Sequence, residues 1–156
     1  MKKLVLIAFL VGCGGNVPQA TTTPDPVEQV VEEEANAYIG VLDALYGIVQ
    51  MNPETFAAFC SEIGGNFNIS EEFSTCLGTD GSGFALRTAN GVSVGAALLV
   101  PAEHGQDLAD AVVEAVGSPE VYEGAAVWDL TEHSLVMAPL PNGMWLLVLE
   151  KAGTSL

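Results

Sequence analysis

The chain has 156 residues, 49% of them apolar and only 15% charged, so it is long and apolar enough for one domain with a real core rather than a disordered segment. Twenty acidic residues face four basic ones, a formal charge of −16. That balance argues against nucleic acid, whose phosphates demand clustered Lys and Arg, and against peripheral binding to anionic lipid. It leaves a solvated acidic surface, a protein partner with a basic surface, or weak binding of divalent cations.

The chain begins "MKKLVLIAFLVGCGG". Lys2 and Lys3 form a short positive segment, and Leu4 to Val11 are an unbroken run of eight apolar residues. This is the order of a secretory signal, and the run is far short of the ~20 residues that a spanning helix needs. Leu10-Val11-Gly12-Cys13 then looks like a lipobox, and the N-terminus resembles that of a bacterial lipoprotein. The resemblance implies that the Cys13 thiol receives a diacylglyceryl group, that the chain is cut before Cys13, and that the new amino group is acylated. Two or three acyl chains would hold the protein on a membrane without a spanning helix. Cleavage would remove Lys2 and Lys3, taking the charge from −16 to −18 and leaving Arg87 and Lys151 as the basic residues. Gly14, rather than aspartate, follows the cysteine. In a two-membrane envelope the resemblance therefore implies the outer membrane, facing the periplasm.

Residues 14–24, "GGNVPQATTTP", have no apolar period and suit a tether. Asp25-Pro26 can cap and open a helix, whose apolar stripe runs through Val27, Val31, Ala35, Tyr38, Leu42, Leu45 and Val49. Glu32, Glu33 and Glu34 fit a solvated face of that helix better than a metal site, since successive helix residues point different ways. Asn52-Pro53 stops this helix and caps a second one, with Phe56, Phe59, Cys60 and Ile63 on its apolar side and Gly64-Gly65 at its end.

Beyond about residue 80 the period changes to that of strands. Asn90-Gly91, between "FALRTA" and "VSVGAALLV", predicts a two-residue hairpin loop. Residues 103–116 return to helical spacing, and "AAVWDL", "SLVMAPL" and "MWLLVLE" follow as strands. No internal repeat is apparent. The expected fold is α+β: an N-terminal helical pair, then a roughly five-stranded antiparallel sheet with one crossover helix, in the order ββαβββ. The expected organisation is a signal peptide over 1–12, the lipidated cysteine and tether over 13–26, and a single globular domain over 27–156.

Export changes the meaning of the remaining cysteines. Cys60 and Cys76 are the two left once Cys13 carries lipid, and exported chains commonly pair such residues. Closing the loop between them would stabilise by roughly 3 kcal/mol. The alternative is two free buried thiols; the spacing is not the Cys-x-x-Cys of a redox pair.

The sequence offers little chemistry. His133 in "TEHSL" has Glu132 and Ser134 beside it, but neighbours on a strand point to opposite faces and do not converge by adjacency. His104 belongs to the first turn of the third helix. "GTDGSG" at 78–83 lacks the later acids of a calcium loop and the Lys-Ser/Thr of a phosphate loop. Two histidines and scattered acids make no zinc pattern, and Trp128 and Trp145 suit core packing. No catalytic residue, metal site or cofactor is therefore expected. The leading reading is a membrane-anchored, non-catalytic binding or structural module of the cell envelope. Its alternatives are a periplasmic carrier of an apolar ligand or lipid, with "AALLV" and "MWLLVL" lining the cavity, and a small envelope hydrolase using His133.

Overall fold

The computed structural model describes the backbone of residues 4–9 and 28–33, and residues 36–153 in full. The lipobox with Cys13, the tether and the capping pair Asp25-Pro26 lie outside the described residues. The chain divides into two units, Met1–Ala37 and Tyr38–Leu156. In the first, strand β1 (Leu4–Phe9) pairs antiparallel with β2 (Glu28–Glu33). The helix expected from Asp25 onward is thus a strand over Glu28–Glu33, where adjacent Val30 and Val31 favour extended backbone. Helix α1 spans only Val41–Val49. Gly40, at φ 86°, sets that start, because a left-handed residue cannot continue a right-handed helix.

In the second unit α1 is followed by α2 (Pro53–Glu62). Asn52 caps α2 by accepting a hydrogen bond from the Thr55 amide at 2.8 Å. Four strands come next: β3 (Asn66–Ile69), β4 (Phe73–Leu77), β5 (Gly83–Ala89) and β6 (Val92–Pro101). A 3-10 turn, Ala102–His104, leads into α3 (Gly105–Val116). Four more strands close the unit: β7 (Glu120–Tyr122), β8 (Ala125–Asp129), β9 (His133–Pro139) and β10 (Met144–Lys151).

The eight strands form one antiparallel sheet in the order β3-β4-β5-β6-β10-β9-β8-β7. This corrects the expected helical pair with a five-stranded ββαβββ sheet. The sheet is instead two four-stranded meanders, each preceded by a helix, joined where β6 pairs with β10. β3, β4 and β7 are the strands missing from the expectation. β3 and β7 are the two edges, only four and three residues long, and every residue in them is exposed. Short exposed strands leave no buried stripe in the sequence, so their pairing partners decide them.

The helices lie on one face of the sheet. α1 packs on β6 and β10, α2 on β3 and β4, and α3 against α1. The core between the layers holds Leu45, Ile48, Phe56, Leu108 and Val112 from the helices and Leu86, Leu135, Leu147 and Leu149 from the strands. The Trp128 indole donates to the Gly117 carbonyl at 2.8 Å, tying the end of α3 to β8. A disulfide joins Cys60 of α2 to Cys76 of β4.

The start of α3 depends on a close approach. Gly105 is buried, and a Cβ placed there would run into the Trp145 indole. Gly105→Ala is therefore expected to cost about 1–3 kcal/mol by forcing the indole aside. A lower urea midpoint together with altered tryptophan fluorescence would show it; unchanged stability would mean that the indole yields freely.

Candidate functional site

Strand pairing sets what faces away from the helices. Alternate residues of a strand share a face, and opposed residues on neighbouring strands stand side by side. On the face opposite the helices, Phe73, Arg87, Gly95, Glu150 and Ser134 form one row across β4, β5, β6, β10 and β9. Two residues along, the row is Thr75, Ala85, Ala97, Val148 and Val136. Two further on, it is Leu77, Gly83, Leu99, Leu146 and Ala138. No helix of residues 38–153 packs on this face.

The middle of the face is a pocket of about 330 Å³. Its floor is made of small residues, Ala85, Gly95 and Ala97, and its walls of Phe73, Leu99, Leu146, Val148 and Val136. The volume falls at the lower end of the ~300–1,000 Å³ usual for small-molecule sites, and the lining is apolar with few polar groups, as such sites require. Gly95 contributes by having no side chain: a Cβ there would stand 3.3 Å from Glu150 Cγ and 3.7 Å from Arg87 Cβ, between the two charged residues.

Those two residues also border the pocket, whose exposed lining is almost wholly apolar because their polar atoms turn to each other. Arg87 Nη1 donates to Glu150 Oε1 at 2.7 Å, and the side chains are 21% and 10% exposed. The pair is far from a solvated surface bridge, and each charge depends on the other.

The residues singled out from sequence lie elsewhere. His133 begins β9 on the helix-bearing face, edge-on to Tyr46 with ring centroids 5.0 Å apart. Ser134 faces the opposite side of the sheet, and Glu132 sits in the turn before β9, so the three do not converge. A wider polar depression there is lined by Tyr46, Gln50, Asp129, Thr131, Glu132 and His133. His104 ends the 3-10 turn, with Nε2 3.6 Å from a Glu103 oxygen and Nδ1 4.0 Å from an Asp107 oxygen. In the "GTDGSG" loop the Asp80 carboxylate accepts from the Ser82 hydroxyl at 2.6 Å and from the Ser82 amide at 3.0 Å. These bonds hold its pKa below the usual carboxylate value. Burial, with the Asp80 charge as a second cause, pushes Tyr38 above the usual phenol value. Among the described residues no group of three or more His, Cys, Asp and Glu is placed to hold a metal.

Arg87 and Glu150 were not among the sequence candidates. A signal for the pocket existed in the two runs that build it. "VGAALLV" in β6 and "MWLLVL" in β10 are apolar without alternation, the pattern of strands with apolar surroundings on both faces. Helices cover only one of those faces. No protein-family model, curated protein or solved structure matches the chain.

Proposed function

We propose that this chain is a lipid-anchored, non-catalytic module of the bacterial envelope that holds an apolar ligand on the uncovered face of its sheet. The observation that carries the reading is the pocket over Ala85, Gly95 and Ala97, an apolar concavity in a place where no helix of the unit lies. Small side chains at its centre, ringed by larger ones, leave a notch that a hydrocarbon fills better than water does.

Two further features support the envelope setting. The N-terminus resembles a lipoprotein signal ending at Cys13, and the Cys60–Cys76 bridge is of a kind that persists in oxidising compartments. No helix among the described residues is long and apolar enough to cross a membrane, so acyl chains on Cys13 would be the anchor. In a two-membrane envelope the proposed site is the outer membrane, facing the periplasm.

The test adds bulk to the notch. In the full chain carrying Cys13→Ser, which needs no detergent, Ala97→Leu should weaken binding of the uncharged dye N-phenyl-1-naphthylamine at least tenfold. The circular dichroism spectrum should not change, because the new side chain points away from the helix-bearing core. Equal affinity in both proteins would remove the pocket from the proposal. For the anchor, the protein purified from membranes of its own host should have a mass starting at Cys13 plus two or three acyl chains. An unmodified chain retaining Met1 would overturn it.

A further inference from the structure

We infer that the free edge of β7 docks an extended segment of a basic partner protein, one in which Lys or Arg alternates with an apolar residue. β7 is the last strand of the sheet, so only β8 pairs with it, and its outer row of N–H and C=O groups can take a further strand. Val121 and Tyr122 are 77% and 69% exposed, more than any other large apolar side chain among the described residues. The other edge of the sheet differs, because the Phe67 ring of β3 packs 6.3 Å from the Phe56 ring of α2. β8 stands between β7 and the strands that line the apolar pocket, so the two sites are separate.

Charge identifies the partner. Glu120 and Glu123 flank Val121 and Tyr122, and Glu123 with Gly124, both at positive φ, makes the tight loop into β8. At the other end of β7 the pairing stops at Glu120 opposite Val127, and Asp129 of β8 runs on past it. The notch left there has carboxylates from Glu120 and Asp129 and apolar walls from Val116, Val127 and Leu130. The Trp128 bond to the Gly117 carbonyl fixes the chain that leads from α3 past this notch. A lysine or arginine lays its apolar stem along such walls and keeps its charge at the carboxylates. Residues 36–153 supply no such side chain: their two basic residues, Arg87 on β5 and Lys151 on β10, are bound to Glu150 and to the Ser93 carbonyl, with β8 and β9 between them and β7. On an added strand one residue stands beside Glu120, the next beside Val121 and the third beside Tyr122, whose ring face attracts a cation. Basic, apolar, basic is the matching order. A second copy of the chain does not match: its own Glu120 and Glu123 would meet these, with −16 on each chain. The glutamates thus guard the edge against the chain itself, but guarding alone gives no reason for the exposed Val121 and Tyr122 between them.

The probe is a short fluorescein-labelled peptide of alternating Lys and Val; its control has the same composition with the lysines and valines in separate blocks. At physiological salt, the full chain carrying Cys13→Ser should bind the alternating peptide at least tenfold more tightly than the control. The amides of Glu120 to Tyr122 should gain protection from hydrogen exchange. The paired substitution Glu120→Gln, Asp129→Asn should weaken the alternating peptide at least tenfold, and Val121→Ser should weaken it severalfold. All three side chains are exposed, so the circular dichroism spectrum should not change. Equal affinity for the two peptides, or affinity that survives the paired substitution, would mean general attraction to an acidic protein and would overturn the docking edge. Protection gained along β3 instead of β7 would overturn it as well. A dimer at micromolar concentration that Val121→Asp disperses would give the edge to a second copy and end the inference.

Discussion

Phe56→Ala should lower the free energy of unfolding by about 3–5 kcal/mol, the usual cost of emptying a fully buried aromatic site. Phe56 has no exposed surface. Its ring lies 6.0 Å from that of Phe59 and 6.3 Å from that of Phe67, so it links α2 to the first edge of the sheet. The cavity would open where α2 meets β3 and β4, and the only other fully buried residue of α2 is Cys60, held in place by its disulfide, so little is left with which to collapse it. The melting temperature should fall by on the order of 10–20 °C. Phe59→Ala should cost less, since that ring is only half-buried, and Phe67→Ala less again, with 39% of its surface exposed. Thermal and urea unfolding of the three variants measures the order directly. Equal losses would mean that α2 is held by general apolar contact and not by the Phe56 ring. Dye binding below the melting temperature should survive all three substitutions, because their rings stand on the helix side of the sheet.

The elements that were legible in the sequence are those with a complete local signal. Asn90-Gly91 has both residues at positive φ, 52° and 77°, in a two-residue loop between Ala89 and Val92. Asn52-Pro53 places a side-chain cap and a proline where the first turn of α2 needs them. Gly64 and Gly117, both at positive φ, end α2 and α3. What could not be read depends on partners distant in the chain. β3 alternates asparagine with Phe67 and Ile69, but all four residues are exposed and the strand exists because β4 pairs with it. The long apolar stripe that suggested a helix from Val27 to Val49 spans two different structures, because spacing alone does not reveal the left-handed turn at Gly40.

The candidate site follows the same logic. Arg87 and Glu150 are 63 positions apart, and only the pairing of β5 with β6 and of β6 with β10 brings them together. No local motif encodes that. The doubly apolar strands β6 and β10 did carry half of the information, namely that both of their faces are apolar. The other half, the small residues at the centre of that face, became meaningful once the register set Ala85 beside Ala97 and Gly95 between Arg87 and Glu150.

Removing the Cys60–Cys76 bridge by the double substitution Cys60→Ala, Cys76→Ala should cost roughly 3 kcal/mol from the loop it closes. Cys60 and Cys76 are 0% and 1% exposed and belong to the core, so the loss of their sulfurs adds a packing cost. A further contact makes the bridge integral to the fold: a side chain at Gly65 would meet the sulfurs of both cysteines, so the chain leaving α2 passes directly over the bond. The expected result is a lower urea midpoint and a steeper dependence on urea, since the unbridged unfolded chain exposes more surface. Single Cys→Ser variants should be worse than the double alanine variant, because each buries a hydroxyl in an apolar site and leaves a free thiol. The burial also predicts kinetics. A reductant cannot reach the sulfurs until α2 or the β3–β4 edge opens, so the rate of reduction under native conditions should track local unfolding of that region. Phe56 lies on the same helix, so Phe56→Ala should accelerate reduction, and its effect on stability should not simply add to that of the double alanine variant. A bridge that reduces as fast in the intact protein as in Phe56→Ala would show that this corner opens without losing its packing.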